Sequence, residues 1–144
     1  MDYLSNSPEE TQQIAQDLVT SLKGGEFIEL VGDLGAGKTT FAQGMGKALG
    51  VKRPLRSPTF TIMNIYKTDH RAIKRIVHID CYRLQETCDL HTLELEEWLG
   101  KPDTIILTEW PIENMASGTK TIQVKLEQKS ESVRAIIIKK KSSK

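Results

Sequence analysis

The stretch Glu26-Phe27-Ile28-Glu29-Leu30-Val31-Gly32-Asp33-Leu34-Gly35-Ala36-Gly37-Lys38-Thr39 decides the fold. Glu26 to Val31 reads as a short, mostly buried strand, and Gly32 to Thr39 satisfies G-x-x-x-x-G-K-[ST] without a mismatch. Lys38 to Leu49 can then form a helix with Phe41, Met45 and Leu49 on one face, ended by Gly50. Gly44 and Gly46 weaken that helix by up to about 1 kcal/mol each relative to alanine, so packing has to hold it. Strand, glycine loop and helix together are the context a phosphate-binding loop demands. Glycine lets a phosphate touch the main chain where a β-carbon would block the approach. The N–H groups of Gly35, Ala36, Gly37 and Lys38 can converge on a β-phosphate, helped by the N-terminus of the helix. Lys38 sets a cation between the β- and γ-phosphates, and Thr39 offers a hydroxyl to Mg²⁺.

Toward the N-terminus, Ser7-Pro8-Glu9-Glu10 starts another helix. Ser7 can cap, Pro8 suits the first helical position, and Glu10 sits where a capping box wants a carboxylate. Ile14, Leu18 and Leu22, with Ala15 and Val19 alongside, carry the helix to a stop at Gly24-Gly25. Toward the C-terminus, Thr59 to Lys67 and Ile73 to Tyr82 read as a hairpin turning at Asp69-His70-Arg71. A helix is expected from about Asp89 to Leu99. Thr104 to Trp110 reads as a buried strand, Thr121 to Glu127 as an alternating half-buried one, and Arg134 to Lys139 as a last strand. This order predicts one α/β domain, residues 1–138. Its mixed central sheet has parallel strands near the glycine loop and antiparallel strands at the edges, flanked by helices. Residues 139–144 read as a basic, flexible tail.

The chain has 144 residues, 38% of them hydrophobic and 27% charged, which excludes wholesale disorder and fits a single modest core. The longest aliphatic run, Ala135 to Ile138, is far too short to span a bilayer. With no secretory signal and only Cys81 and Cys88, a cytoplasmic, reduced protein is expected. A net charge of +1 argues against a surface wrapped in nucleic acid, although its distribution is uneven. Lys47 to Arg83 holds nine basic residues against two acids, and Leu84 to Gly118 holds eight acids against Lys101. Solvated faces explain this most simply. A basic surface for a polyanion and an acidic one for a protein partner are the sharper reading.

A phosphate site needs a carboxylate at the end of a neighbouring strand to hold the metal or orient water. Glu109, ending Ile105-Ile106-Leu107-Thr108, and Asp80, ending Ile76-Val77-His78-Ile79, are the two candidates. His78, Cys81, Cys88 and His91 superficially suggest zinc, but in an extended strand His78 and Cys81 point to opposite faces, so no zinc site is expected.

Four blocks now stand in order: G-D-L-G-A-G-K-T-T-F from Gly32, S-P-T-F-T from Ser57, H-I-D-C-Y-R-L from His78 and T-E-W-P from Thr108. In their sequence and spacing they resemble the tRNA threonylcarbamoyladenosine biosynthesis ATPases of the TsaE (YjeE) family. The resemblance implies a weak Mg²⁺-dependent ATPase. In that family it serves the enzymes that attach threonylcarbamoyl to the adenosine beside the anticodon, with proteins of the TsaD and TsaB families as partners. Whether tRNA is touched directly is left open. The family's phosphate-binding role falls on Gly35 to Thr40 (Gly35, Ala36, Gly37, Lys38, Thr39, Thr40), and its magnesium role on Thr39 and Glu109. Asp80 matches a functional acid near the phosphates, so Lys38, Asp80 and Glu109 are the candidate catalytic residues. Trp110 matches an aromatic near the nucleotide and Thr59 a polar contact in a switch-like segment. Thr11 and Arg134 match adenine-side contacts less closely. Arg83 is the nearest candidate for a stabilising arginine, and it can equally anchor a strand end by pairing with an acid.

Three other functions compete. A GTPase would need N-K-x-D or T-K-x-D, and Thr119-Lys120-Thr121-Ile122 ends in isoleucine instead. A small-molecule kinase would need a lid with arginines, and no insertion is long enough. A binding module whose nucleotide only stabilises an interface would tolerate loss of turnover.

Overall fold

The computed structural model describes residues 1–33, 35–55, 63–80, 97–109 and 120–141, with the side chain of Asp80 left aside. Its elements in chain order are β1 (Asp2–Ser5), α1 (Pro8–Val19), β2 (Phe27–Val31), α2 (Lys38–Ala48), β3 (Met63–Lys67), β4 (Arg75–Asp80), β5 (Thr104–Glu109), β6 (Thr121–Gln128) and β7 (Arg134–Lys141). The strands form one seven-stranded sheet in the order β1-β7-β6-β2-β5-β4-β3. The inner strands β6, β2, β5 and β4 run parallel. Antiparallel β3 closes one edge, and β7 and β1 close the other. The mixed α/β architecture expected from the chain is therefore present.

Burial explains the pattern of each strand. β5 is buried at every position and β2 at all but its last, as strands covered on both faces are. β6 alternates instead, burying Ile122, Val124 and Leu126 and exposing Lys125. One sheet face meets both helices. Ile28, Leu30, Leu107, Val124 and Ile136 share a core with Ala15 and Val19 of α1 and Phe41, Ala42 and Met45 of α2. Burying a side chain such as Phe41 or Met45 contributes roughly 1.5–3 kcal/mol, enough to offset the glycines of α2. Gly44 has its own reason to be glycine. A β-carbon there would lie 2.7 Å from both Cα and the carbonyl oxygen of Gln12, so its absence lets α1 and α2 touch backbone to backbone.

Two expectations need correction, and one strand is unannounced. The helix expected to reach Leu22 ends at Val19, because the Thr20 and Ser21 hydroxyls donate to the carbonyls of Asp17 (2.6 Å) and Leu18 (2.8 Å) and tighten the last turn. The basic tail does not begin at residue 139. Lys139, Lys140 and Lys141 continue β7, pairing with Gln123, Ile122 and Thr121, and Lys141 reaches the Glu29 carboxylate at 2.6 Å. All three lysines are exposed, so their charge does not end the strand; residues 142–144 lie outside the described set. Finally, Asp2–Ser5 forms a strand that no sequence pattern announced.

The turn between β3 and β4 is observed near His70, and β4 begins at Arg75, two residues later than expected; residues 59–62 and 81–82 of the expected strands lie outside the described residues. The helix expected over 89–99 falls almost wholly outside the described residues. None of the described helices is long and apolar enough to cross a membrane.

Candidate functional site

The site is built where the inner parallel strands end. Leu30 of β2 lies beside Glu109 of β5, and Glu109 beside Asp80 of β4, so two acids and the start of the glycine loop come together at one sheet edge. Crevices at the carboxyl ends of parallel strands are where open α/β sheets bind ligands.

The loop leaves β2 and turns at once. The Ala36 N–H donates to the Asp33 carbonyl at 3.0 Å, closing a turn across Gly35, whose φ of +84° a side chain would resist. Of the four amides expected to face a phosphate, that of Ala36 is engaged inside the loop in this structure. Gly37 then opens α2 in the left-handed region, φ +101°. It contributes no side-chain cap, and the first turn holds no acid. Lys38 is 6% exposed, and its ammonium donates to the Gly32 carbonyl, folding back over the loop that precedes it. Thr39 is exposed and Thr40 half-buried on the same first turn.

Glu109 is 3% exposed, and its Oε2 lies 2.8 Å from Nε2 of His78, which is fully buried. On the sheet, His78 sits two residues before Asp80 on the helix-facing side, next to Leu107. The bond of His78 to Glu109 is not legible in the sequence. Only the parallel register of β4 and β5 brings the two together, and a pair of strands separated by 23 residues does not announce its register in sequence.

A pocket of about 260 Å³ adjoins the start of α2. Gly37 and Thr40 form one wall, Ser7 and Thr11 of the α1 start another, and Ser132 and Arg134 a third. Thr11 and Arg134, distant in the chain, are thus brought to the glycine loop. Their side chains are set from within. The Ser5 hydroxyl donates to the Ser7 carbonyl at 2.8 Å, so the 2.7 Å bond between Ser5 and Thr11 takes its proton from Thr11. That leaves the Thr11 oxygen with acceptor capacity. The Arg134 guanidinium donates to the carbonyls of Ser130, Glu131 and Val133 at 3.2–3.3 Å, bracing the β6–β7 turn.

Thr59, Arg83 and Trp110 lie outside the described residues, as do Cys81, Cys88 and His91 of the zinc pattern. Among the described residues no group of three or more His, Cys, Asp or Glu could hold a metal. Thr39 and Glu109 carry oxygens of the hard kind that Mg²⁺ takes when phosphate and water supply the remaining ligands.

Comparison with known proteins gives the family. The family model described as "Threonylcarbamoyl adenosine biosynthesis protein TsaE" matches residues 5–136. A tRNA threonylcarbamoyladenosine biosynthesis protein TsaE of Aquifex aeolicus is 40% identical over 111 residues, 76% of this chain and 75% of that one. The protein of that name from Bacillus subtilis is 38% identical over 104 residues, 72% of this chain and 62% of its relative. The one from Synechocystis is 40% identical over 114 residues, covering 77% and 70%. Among solved structures, the crystal structure of Bacillus subtilis YdiB superposes with a TM-score of 0.74 at 30% identity, covering 94% of this chain and 82% of that one. With the matched region running from the last residue of β1 into β7, and so through both helices and the glycine loop, the chain belongs to the TsaE family of tRNA threonylcarbamoyladenosine biosynthesis proteins.

Proposed function

We propose that this chain is a Mg²⁺-dependent ATPase that acts as an accessory subunit in threonylcarbamoyl modification of tRNA, in the cytoplasm, with partners of the TsaD and TsaB families. The observation that carries the reading is the placement of an uncapped, acid-free α2 N-terminus beside the strand ends bearing Glu109 and Asp80. A helix end of this kind offers N–H groups and a positive dipole to an anion.

In this reading the triphosphate lies along Gly35 to Thr40. Lys38 exchanges the Gly32 carbonyl for phosphate oxygens, a charge-assisted bond roughly twice as strong as a neutral one. Thr39 and Glu109 would hold Mg²⁺, which when bound neutralises charge building on the phosphates. Glu109 and Asp80 stand at the strand ends where an attacking water has to be oriented. The nucleoside fits the pocket between Thr11, Thr40 and Arg134. The acceptor oxygen of Thr11 favours a donor amino group, which adenine has and the guanine ring lacks at the same position. Thr59 and Trp110 complete the proposed set. Hydrolysis would reset or release the partners, with a stabilising cation supplied by them if none comes from this chain.

Two variants test this. Lys38→Ala is expected to lower affinity for Mg·ATP by about 10–100-fold in calorimetry, since a lost bond to a charged group costs about 1.5–3 kcal/mol. Glu109→Ala is expected to bind Mg·ATP and turn it over on the order of 100-fold more slowly. Wild-type protein that shows no Mg²⁺-dependent affinity for ATP refutes the reading. Full tRNA modification by Glu109→Ala would instead favour a module whose nucleotide only stabilises an interface.

A further inference from the structure

His78 is used by nothing described so far, and its setting is unusual. It is fully buried, its Nε2 lies 2.8 Å from Glu109 Oε2, and its Nδ1 is buried without a hydrogen-bond partner. The same face of β4 carries Ile76, one alternation earlier and equally buried, so an aliphatic side chain would satisfy packing there. A buried polar group with one unmet atom costs stability that an aliphatic one would not. The imidazole therefore contributes something other than packing, and its one bond identifies the recipient.

We infer that His78 is a positioning residue for Glu109, its Nε2–H holding the carboxylate at the orientation turnover requires. The chemistry favours this direction of donation. An ionised carboxylate can only accept, so Nε2–H is the donor of this bond. A glutamate side chain has three rotatable bonds, and a donor fixed on the neighbouring strand removes most of that freedom before substrate arrives. Parallel pairing of β4 and β5 supplies the fixed distance: Glu109 is paired with Asp80, and His78 stands two residues back on the same face. The arrangement parallels the outer partners of metal-site carboxylates, whose removal typically costs 10–100-fold in affinity or activity.

The inference rests on the ATPase reading, and its test separates the two. His78→Gln keeps an amide N–H near the position of Nε2, whereas His78→Asn keeps polarity but stops short of Glu109. Both avoid presenting hydrocarbon to a buried carboxylate. In single-turnover hydrolysis of Mg·ATP by the full chain, His78→Asn is expected to lose about 10–100-fold in rate and His78→Gln about threefold at most. ATP affinity should stay within about threefold for both, because only turnover depends on the orientation. In a Glu109→Gln background, His78→Asn should add less than about a twofold further loss, since both changes remove the same contribution. A wild-type rate for His78→Asn, equal losses in the two variants, or losses that multiply in the double mutant would each overturn positioning. Should His78→Asn not fold, loss of turnover in a folded His78→Gln overturns it, and retained turnover supports it. Absence of Mg²⁺-dependent hydrolysis by the wild type overturns the ATPase reading and this inference with it.

Discussion

The two helices begin in opposite ways. At the start of α1 the Ser7 hydroxyl accepts the Glu10 N–H at 3.1 Å, the Glu10 carboxylate accepts the Asn6 N–H, and Pro8 needs no partner for its nitrogen. Glu9 and Glu10 also place negative charge against the positive end of the helix dipole. This is a capping box shifted by one residue, since the carboxylate reaches Asn6 rather than Ser7. At the start of α2 a left-handed glycine replaces the cap, no acid stands in the first turn, and a lysine opens the helix. A cation there opposes the dipole by roughly 0.3–1 kcal/mol. The difference teaches that α1 is stabilised by its own side chains, while α2 lacks such local support at the end that the proposed function assigns to a phosphate.

The largest way to break this contrast is to supply the anion. Mg·ATP at 100 times its Kd should stabilise the wild type by about 2.7 kcal/mol, read as a rise of several degrees in melting temperature. Lys38→Ala at the same concentration should show little of that rise. An equal rise in both proteins would mean that the nucleotide is held elsewhere. The converse operation on α1 is smaller. Ser7→Ala removes the side-chain cap and should lower stability by about 1 kcal/mol in urea denaturation, with no anion able to restore it. An unchanged midpoint would show that Glu10 and Pro8 alone hold that helix start.

Much of this contrast was legible in the sequence because it is local. Ser7-Pro8-Glu9-Glu10 and Gly32 to Thr39 each state their backbone chemistry within a few residues, and the alternation of Thr121 to Glu127 states which face of β6 is buried. Non-local facts were not legible. Nothing in Asp2-Tyr3-Leu4-Ser5 says that it will pair with Ala135 and its neighbours across most of the chain. Gly44 read as a defect in α2 until the approach of Gln12 showed why it is required. The His78–Glu109 bond likewise depends on the register of two strands. Lys139 to Lys141 misled in the other direction, because a charge run has the composition of a frayed end and equally that of an exposed strand.

The finest test sharpens the contrast by making α2 resemble α1. Thr40 sits in the first turn of α2 and lines the pocket, so Thr40→Asp adds the acid that Glu10 provides in α1. On the dipole argument the nucleotide-free protein should gain about 0.3–1 kcal/mol in stability. The same charge would face a triphosphate. At a separation of about 6 Å and an effective dielectric near 20, each like-charge pair costs about 2–3 kcal/mol, so Mg·ATP affinity should fall by about 30-fold or more. Thr40→Asn keeps the size without the charge and separates a steric effect from an electrostatic one. Stability and affinity moving in opposite directions in Thr40→Asp, with Thr40→Asn near wild type, would mean that weak capping and ligand binding are one property of the same helix end. If both quantities fall together, the N-terminus of α2 is already satisfied within the protein, and its resemblance to an anion site is one of sequence alone.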